Sequence, residues 1–337
     1  MINIERILCP VTLPPESDEA LRYAVGLARV FNARLFLCHC AGPPSLVNFL
    51  SDDNDHRSAK KELMEALARV IGPPVHGSPH WEVIVGEGSK DIGAEIVETA
   101  RQHRIDLIVM RSRHSLVAGL LGSKAEHVSR NASCPVLVVH TRSEKEEPEE
   151  RAVGFRLILV AHDFSSSSEL ALSYGLSIAQ KHKADLHLIH VLPEHEEDEP
   201  EIAWSPTALN SAYLHAARRL HDSVPEEVYR KCRVAHVVRW GKPYREILAY
   251  AREQDADLIC IGALGSDFGF EALFGSNADR VLRQATCPVL VARPLQPASR
   301  VSLLAGDAAT GDRVSFTRRA ELKGVGNARS HWTRTVV

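Results

Sequence analysis

An internal repeat is the feature that most constrains the fold of this chain. When the first half of the 337-residue sequence is laid on the second half, Ile7 meets Ile158 and His39 meets His190. Two further blocks match in the same order: EIVETARQHRIDLIVM falls on EILAYAREQDADLICI, and GSKAEHVSRNASCPVLVV falls on GSNADRVLRQATCPVLVA. The repeat is far longer than the units of repeat arrays, which span roughly 20–50 residues. The sequence therefore predicts one domain duplicated in tandem.

Each copy alternates short apolar runs with amphipathic helical patterns. In the first copy the strand-like runs are RILCPV, RLFLCHC, HWEVIVG, DLIVM and PVLVV. Continuous apolar strands that alternate with helices are typical of a parallel sheet covered on both faces. We therefore predict an α/β fold of two doubly wound domains, each with a mainly parallel five-stranded sheet.

The repeat also sets the expected domain boundaries. The first domain covers residues 1–143 and the second covers residues 154–295, with a Glu-rich linker at 144–153 between them. Residues 296–337 repeat nothing and carry little periodic apolar content. Because such a segment cannot bury enough apolar surface, we expect it to be a disordered tail.

Charge and cysteine usage argue against several classes of protein. The formal net charge of -3 gives no footprint of a nucleic-acid-binding protein. No apolar run approaches the ~18 residues that a bilayer span requires. The seven cysteines include no Cys-x-x-Cys pair and do not form a disulfide framework. We expect a cytoplasmic protein that binds neither membrane nor nucleic acid.

A glycine-rich loop in the second copy is the main candidate for a binding site. Gly262 ends an apolar run, Gly265 follows it, and Gly275-Ser276 opens an amphipathic run. Ligands of doubly wound sheets lie at the carboxyl ends of the strands, where glycines tolerate positive φ and leave the backbone uncovered. The N–H groups at the start of the next helix can bind an anion. The Ser276 hydroxyl can either cap that helix or bond a phosphate oxygen. The alternative without a ligand is three turn glycines and a serine N-cap.

Polar residues at the ends of the first two strands of the second copy face the same edge. Asp163 follows the first strand in LVAHDFSSSSE, beside His162. Its carboxylate either bonds a base, a ribose or a metal, or caps the next helix, for which the following serines are alternatives. No metal-ligand spacing surrounds His162. The recurrence of His39 and His190 at the end of the second strand favours packing or a bond to the backbone.

These residues resemble the ATP-binding motif of the universal stress protein family, and the resemblance covers roughly residues 1–295. The second copy carries the family's Gly-x2-Gly-x9-Gly-Ser/Thr spacing, an Asp at the end of its first strand and a terminal CPVLV. The resemblance implies a Rossmann-like fold, ATP as ligand with or without Mg²⁺, and a backbone contact from Val191 to adenine. The residues expected to bind the nucleotide are Ala161, His162, Asp163, Val191, Gly262, Gly265, Gly275, Ser276 and Asn277.

The first copy departs from this pattern. Thr12 stands where the second copy has Asp163, Arg111 replaces Gly262, and the loop is two residues shorter. Only Gly122-Ser123 remain of the motif. We interpret the first copy as a degenerate site that keeps the fold. The alternative is that Arg111 or Arg113 supplies positive charge to an anion site of another shape.

The resemblance implies a regulatory protein rather than a metabolic enzyme. We expect an ATP-binding stress-response protein that acts through nucleotide-dependent conformation or through an unidentified partner protein. The alternatives are a nucleotide-independent dimeric scaffold and a slow ATP hydrolase, although no general base or Walker lysine is evident around the loop. The resemblance also implies dimerisation through the last strands, either as a homodimer or as a pseudo-dimer of the two copies within one chain.

Overall fold

The computed structural model describes most of the two repeats. The described residues belong to one compact unit, Met1–Ala298. They are 2–11, 19–40, 61, 64, 65, 68, 80–86, 89–112, 122–140, 154–194, 205–265 and 274–293. The expected linker at 144–153 and the expected tail at 296–337 lie outside them. The domain boundaries therefore stay predictions.

The first repeat alternates strands and helices as its sequence pattern predicts. Its elements are β1 (Arg6–Pro10), α1 (Glu19–Phe31), β2 (Arg34–His39), β3 (Trp81–Val85), α2 (Ile92–Gln102), β4 (Leu107–Ser112), α3 (Ser123–Asn131) and β5 (Val136–His140). Some helices begin at a residue whose side chain caps the first turn. For example, the Asp91 side chain accepts a hydrogen bond from the N–H of Ala94 and caps the start of α2.

The second repeat follows the same order, with two described helices between its second and third strands. Its elements are β6 (Leu157–Ala161), α4 (Ser166–His182), β7 (Asp185–Leu192), α5 (Pro206–Asp222), α6 (Glu226–Tyr229), β8 (Val234–Trp240), α7 (Pro243–Glu253), β9 (Leu258–Gly262), α8 (Ser276–Gln284) and β10 (Val289–Ala292). None of the helices in the described parts of the chain has the length and apolar character that crossing a bilayer demands.

The ten strands of the described residues belong to one sheet, in the order β3-β2-β1-β4-β5-β10-β9-β6-β7-β8. Within each repeat, every neighbouring pair of strands is parallel. The predicted fold of two doubly wound, five-stranded halves is confirmed. The halves meet where β5 and β10 pair antiparallel, with Val138 opposite Val289 and Val136 opposite Val291. The last strands of the two repeats therefore pair edge to edge within one chain.

Successive residues of each central strand enter different cores on the two faces of the sheet. Along β6, Ile158 and Val160 pack in the core that includes α1, α4 and α5, whereas Leu159 packs in the core that includes α2, α3, α7 and α8. All three side chains are fully buried, which is why these strands are continuous apolar runs. Tyr174 belongs to the first of these cores, and its counterpart Tyr23 packs against it.

A repeated aspartate holds the first and fourth strands of each half together at their amino ends. The Asp257 carboxylate accepts hydrogen bonds from the N–H groups of Arg156 at 2.7 Å and Leu157 at 3.0 Å. Asp106 makes the equivalent bonds to the N–H groups of Glu5 and Arg6, both at 2.9 Å. Because these bonds tie the amino ends of β1 to β4 and of β6 to β9, the adjoining carboxyl ends lie side by side.

Four charged side chains join α3 and α8 across the junction of the two repeats. Arg130 lies 3.2 Å from Glu126 and 2.8 Å from Asp279. Arg283 lies 2.9 Å from Glu126 and 2.8 Å from Asp279. Each helix contributes one acid and one arginine, so the network has the same approximate two-fold symmetry as the strand pairing.

Candidate functional site

A cavity of about 780 Å³ opens at the carboxyl edge of the second repeat. This volume is in the range of small-molecule binding sites. All of the residues predicted to bind a ligand line it, namely Ala161, His162, Asp163, Val191, Gly262, Gly265, Gly275, Ser276 and Asn277. They come from three separate segments of the chain, and the parallel order of the strands brings those segments to one edge.

The predicted site residues leave out five polar or glycine positions in the same cavity wall: Ser168, His190, Glu194, Gly241 and Lys242. The last two follow β8 in the string WGKP, another strand-to-helix turn that ends at the carboxyl edge. Gly241 has φ +142, a conformation that L side chains rarely adopt, and its N–H donates to the Leu192 carbonyl at 3.0 Å. A glycine directly after a strand was therefore a signal that could have identified this wall.

Gly262 is required for close packing and not for a positive φ. Among the described glycines, a positive φ occurs at Gly241. Of the two reasons for glycine at Gly262 and Gly265, positive φ therefore does not apply, and uncovered backbone does. A Cβ on Gly262 would lie 2.7 Å from the Ser167 carbonyl carbon and 2.9 Å from the Ser168 nitrogen. The end of β9 therefore touches the backbone of the first turn of α4, and a side chain of any kind would separate them.

The other two motif glycines also have close neighbours that leave little room for a side chain. A Cβ on Gly265 would lie 3.2 Å from Asp163 Oδ2, and one on Gly275 would lie 3.3 Å from the Ala263 carbonyl oxygen. Gly275 also donates its N–H to that oxygen at 2.7 Å. Bare backbone at these positions keeps the loop close to the strand end and leaves the cavity open.

The start of α8 points uncapped amides at the cavity wall. Gly275 is the N-cap residue and has no side-chain cap, with φ -73 and ψ 142. The alternative that Ser276 caps this helix is therefore wrong, because Ser276 is its first helical residue. The first bond within the helix runs from the Asp279 N–H to the Gly275 carbonyl at 3.0 Å. The N–H groups of Ser276, Asn277 and Ala278 precede that bond, which makes them available to an anion.

Asp163 is held in place by the serines that follow it. Its Oδ1 accepts hydrogen bonds from the Ser165 N–H at 3.0 Å and the Ser165 hydroxyl at 2.5 Å. The cap of α4 is Ser165, whose hydroxyl oxygen accepts from the Ser168 N–H at 3.2 Å. The alternative that Asp163 caps the helix is therefore wrong. The Asp163 carboxylate is oriented toward the glycine loop, where its Oδ2 faces Gly265.

His162 is a buried and neutral member of the cavity wall. The Phe164 N–H donates to its Nδ1 at 3.2 Å, so the ring hydrogen lies on Nε2, which is 3.4 Å from Glu169 Oε1. Burial lowers the pKa of His162 to about 4, the positive charge of Arg219 acts in the same direction, and Asp163 opposes it. The ring therefore carries no charge near neutral pH and adds none to the cavity.

The recurring histidines bond the backbone, as their recurrence predicted. His39 donates from Nδ1 to the Val11 carbonyl at 3.2 Å, and His190 donates from Nδ1 to the His162 carbonyl at 2.8 Å. Both bonds link the end of the second strand of a repeat to the end of its first strand. The prediction of a structural role for this pair is confirmed.

The first repeat keeps the uncapped helix start of the motif. Gly122 is the N-cap residue of α3 and has no side-chain cap, and its N–H lies 3.5 Å from the Ser112 hydroxyl oxygen. Arg111 occupies the position that corresponds to Gly262 and is half-buried. Thr12 and Arg113 lie outside the described residues, so the degenerate first site stays a prediction.

The second cavity can bind a ligand that has both an anionic and a hydrogen-bonding end. Helix amides and bare glycine backbone suit a phosphate group, whereas the Asp163 carboxylate suits hydroxyl or amino donors. Within the described part of the chain, no three His, Cys, Asp or Glu side chains are grouped so that they could hold a metal ion. The protein residues alone therefore suit an anionic organic ligand better than a bare cation.

The sequence model of the family described as "Universal stress protein family" matches the chain twice, at residues 3–140 and 154–293. A universal stress protein of Mycobacterium tuberculosis is 27% identical over 298 residues, which are 83% of this chain and 93% of that relative. One from Mycolicibacterium smegmatis is 27% identical over 300 residues, which are 86% of this chain and 97% of that relative.

A solved structure has the same overall architecture. The crystal structure of a universal stress protein from Archaeoglobus fulgidus matches with a TM-score of 0.60 and 22% identity. The match covers 88% of this chain and 100% of that one. At this level of identity the likeness concerns the fold.

Proposed function

The chain belongs to the universal stress protein family, and from that premise we propose that its second repeat binds ATP. We further propose that the bound nucleotide acts in a stress response, through the conformation of the protein or through a partner protein. This role is regulatory and not metabolic.

The observation that carries the proposal is the convergence of all the motif residues on one cavity. Bare backbone at Gly262, Gly265 and Gly275 lies beside the uncapped start of α8. We assign the triphosphate to this end, because backbone amides and the positive end of a helix dipole stabilise phosphate charge. The rest of the nucleotide then lies toward Asp163 and Val191, which line the same cavity.

The two ends suit different parts of the nucleotide. The Asp163 carboxylate, held by Ser165, accepts hydrogen bonds and suits the ribose hydroxyls or the amino group of the base. Val191 belongs to β7, and its main-chain groups suit the edge of adenine. Mg²⁺ would enter with the triphosphate, since this ion usually keeps several waters and binds through substrate phosphates and one or two carboxylates.

Equilibrium binding of ATP to the purified protein tests the proposal. We expect Gly265→Arg, which places a long side chain beside Asp163, to weaken binding more than about tenfold, a loss of at least ~1.4 kcal/mol. The control is Gly122→Ala, at the counterpart of Gly275 in the first repeat, which we expect to leave ATP affinity unchanged. Circular dichroism of both variants verifies that they are folded.

Two results would contradict the proposal. Wild-type protein that binds no ATP at millimolar concentration favours the nucleotide-independent scaffold. A Gly265→Arg variant that binds ATP as wild type does would place the nucleotide elsewhere.

Phosphate release at saturating ATP distinguishes the regulatory protein from an ATP hydrolase. We expect turnover far below the typical enzyme range, which begins at about 1 per second. Steady-state release at that rate or above would replace the regulatory proposal with an enzymatic one.

Assembly and location belong to the same proposal. The pairing of β5 with β10 uses the last strands within one chain, so a homodimer would need another surface, and sedimentation equilibrium measures whether it forms. A cytoplasmic location is supported by the seven cysteines, all in described residues and all present as thiols.

A further inference from the structure

Two thiols lie in contact at the carboxyl end of β2 in the first repeat. The sulfur atoms of Cys38 and Cys40 are 3.3 Å apart. Cys38 is the fifth residue of the strand and Cys40 follows its last residue. Residues two apart on an extended strand project to the same side, which explains why the two side chains meet.

The distance leaves a short movement to a disulfide. The S–S bond length is about 2.05 Å, so the two sulfurs need to approach by about 1.3 Å. Cys38 is fixed, because its carbonyl accepts from the Val11 N–H at 2.8 Å and its backbone pairs with Ile84 on β3. Cys40 lies beyond the end of the strand ladder, so it is the member of the pair that can move toward its partner.

The two sulfurs differ in access to solvent. Cys38 is fully buried, whereas Cys40 is partly exposed. Cys134 and Cys260, by comparison, have no exposed surface. An oxidant that diffuses from water therefore reaches Cys40 before it reaches Cys38 or either of the other two.

Local charges and hydrogen bonds assign different roles to the two thiols. The pKa of Cys38 is lowered chiefly by its hydrogen bond with Cys40, against burial and the charge of Glu95. The pKa of Cys40 is raised because its proton is held by Cys38 and because it is partly buried, although Lys124 opposes this. Between the two thiols, Cys38 is therefore the one that forms a thiolate more readily.

The second repeat lacks this pair. Ile189 and Val191 stand at the positions of Cys38 and Cys40 in the aligned strand, and both line the nucleotide-sized cavity. The thiols therefore occupy, in the first repeat, the place that corresponds to a cavity wall in the second. This gives the first repeat a chemistry that its partner does not have.

We propose that Cys38 and Cys40 form an oxidisable dithiol, a modification site for hydroperoxides. The Cys40 sulfur attacks the hydroperoxide while its proton passes to the leaving oxygen. The O–O bond breaks, Cys40 becomes a sulfenic acid, and water or an alcohol leaves. The Cys38 sulfur then attacks the Cys40 sulfur, the S–S bond forms, and the S–O bond breaks. The departing hydroxide takes the Cys38 proton and leaves as water. This site is independent of ATP binding by the second repeat.

Peptide mass spectrometry after treatment of the full chain with hydrogen peroxide tests this proposal. Trypsin releases residues 35–57, which contain Cys38 and Cys40 and no other cysteine, and residues 131–142, which contain Cys134 alone. After remaining thiols are alkylated, we expect peptide 35–57 to be lighter than its dithiol form by two hydrogen atoms and to carry no alkyl group. Dithiothreitol should restore both thiols, and peptide 131–142 should stay alkylated at the same peroxide dose.

The Cys40→Val variant, which carries the residue of the second repeat, provides the matched control. We expect Cys38 in this variant to remain a thiol at doses that convert the wild-type pair. Circular dichroism during treatment confirms that the wild-type protein is still folded when the disulfide appears.

Several results would overturn the proposal. One is that no disulfide forms in peptide 35–57 up to the dose at which the protein unfolds. Another is that Cys134 is oxidised at the same dose as the pair. A third is that Cys38 reacts as fast in Cys40→Val as in the wild type.

Discussion

Replacement of Gly262 by alanine tests the reason that a glycine ends β9. The added Cβ would lie 2.7 Å from the Ser167 carbonyl carbon, 2.8 Å from the Ser167 Cβ and 2.9 Å from the Ser168 nitrogen. These atoms belong to the first turn of α4 and include its backbone. Unlike the tip of a long side chain, they cannot rotate away.

The magnitude follows from these distances. Ordinary carbon contacts begin at 3.4 Å, so α4 and β9 must separate by about 0.7 Å. Overpacking of this kind in a tight core costs about 1–3 kcal/mol. Among the described residues, an added Cβ at Gly265 meets the Asp163 Oδ2 alone, at 3.2 Å, and a carboxylate oxygen can shift by a few tenths of an ångström. Neither glycine has a positive φ, so alanine reduces the entropy of the unfolded chain equally at both positions, by about 0.4–1 kcal/mol.

Urea unfolding followed by circular dichroism measures the effect. We expect the free energy of unfolding of Gly262→Ala to be lower than that of Gly265→Ala by about 1–3 kcal/mol, with Gly265→Ala close to wild type. The comparison removes the entropic term, because both variants replace glycine by alanine near the same strand end. Equal stability of the two variants, or a Gly262→Ala protein as stable as wild type, would refute the packing explanation.

Two further predictions concern charge. For the network between the repeats, we expect a double-mutant cycle with Arg130→Ala and Asp279→Ala to give a coupling energy of about 0.5–1 kcal/mol. The coupling should decrease in high salt, because the two side chains are 37% and 24% exposed. A coupling of zero would contradict a stabilising role for this ion pair. For His162, whose pKa is lowered from 6.5 to about 4 by burial, we expect the NMR signals of the ring to stay constant from pH 8 to about pH 5. Between pH 6.5 and 4 the unfolded chain takes up a proton on His162 and the folded chain does not, so the free energy of unfolding decreases as pH falls through that window. A ring that titrates near 6.5 in the folded protein would contradict the buried, neutral state.

Much of the fold followed from local properties of the sequence. The internal repeat predicted that the two halves of the chain share the same fold. The alternation of apolar strands with amphipathic helices left a parallel sheet with two covered faces as the consistent arrangement. Because parallel strands end at one edge, Asp163, Val191 and Gly275 could be expected at that edge without knowledge of any distance between them.

Details that depend on contacts between distant segments could not be obtained in this way. The spacing of Gly262 and Gly265 indicated that backbone must be bare there, but two physical reasons were possible, and only the approach of α4 to β9 distinguished close packing from positive φ. The same holds for the cap of α4, where Asp163 and several serines were all suitable and the turn geometry selected Ser165.

What the sequence by itself determined is therefore the duplicated α/β fold and the set of residues at the carboxyl edge of the second repeat, because strand direction and residue order are properties of the chain alone. The tertiary structure decided how the halves join through β5 and β10, that Lys242 enters the cavity wall, and that the thiols of Cys38 and Cys40 touch. The first two depend on how segments far apart in the chain pack against each other, which leaves no periodic signal in the sequence. For the thiols, the spacing of two residues on a strand predicted the same side, and the structure added the distance between the sulfurs.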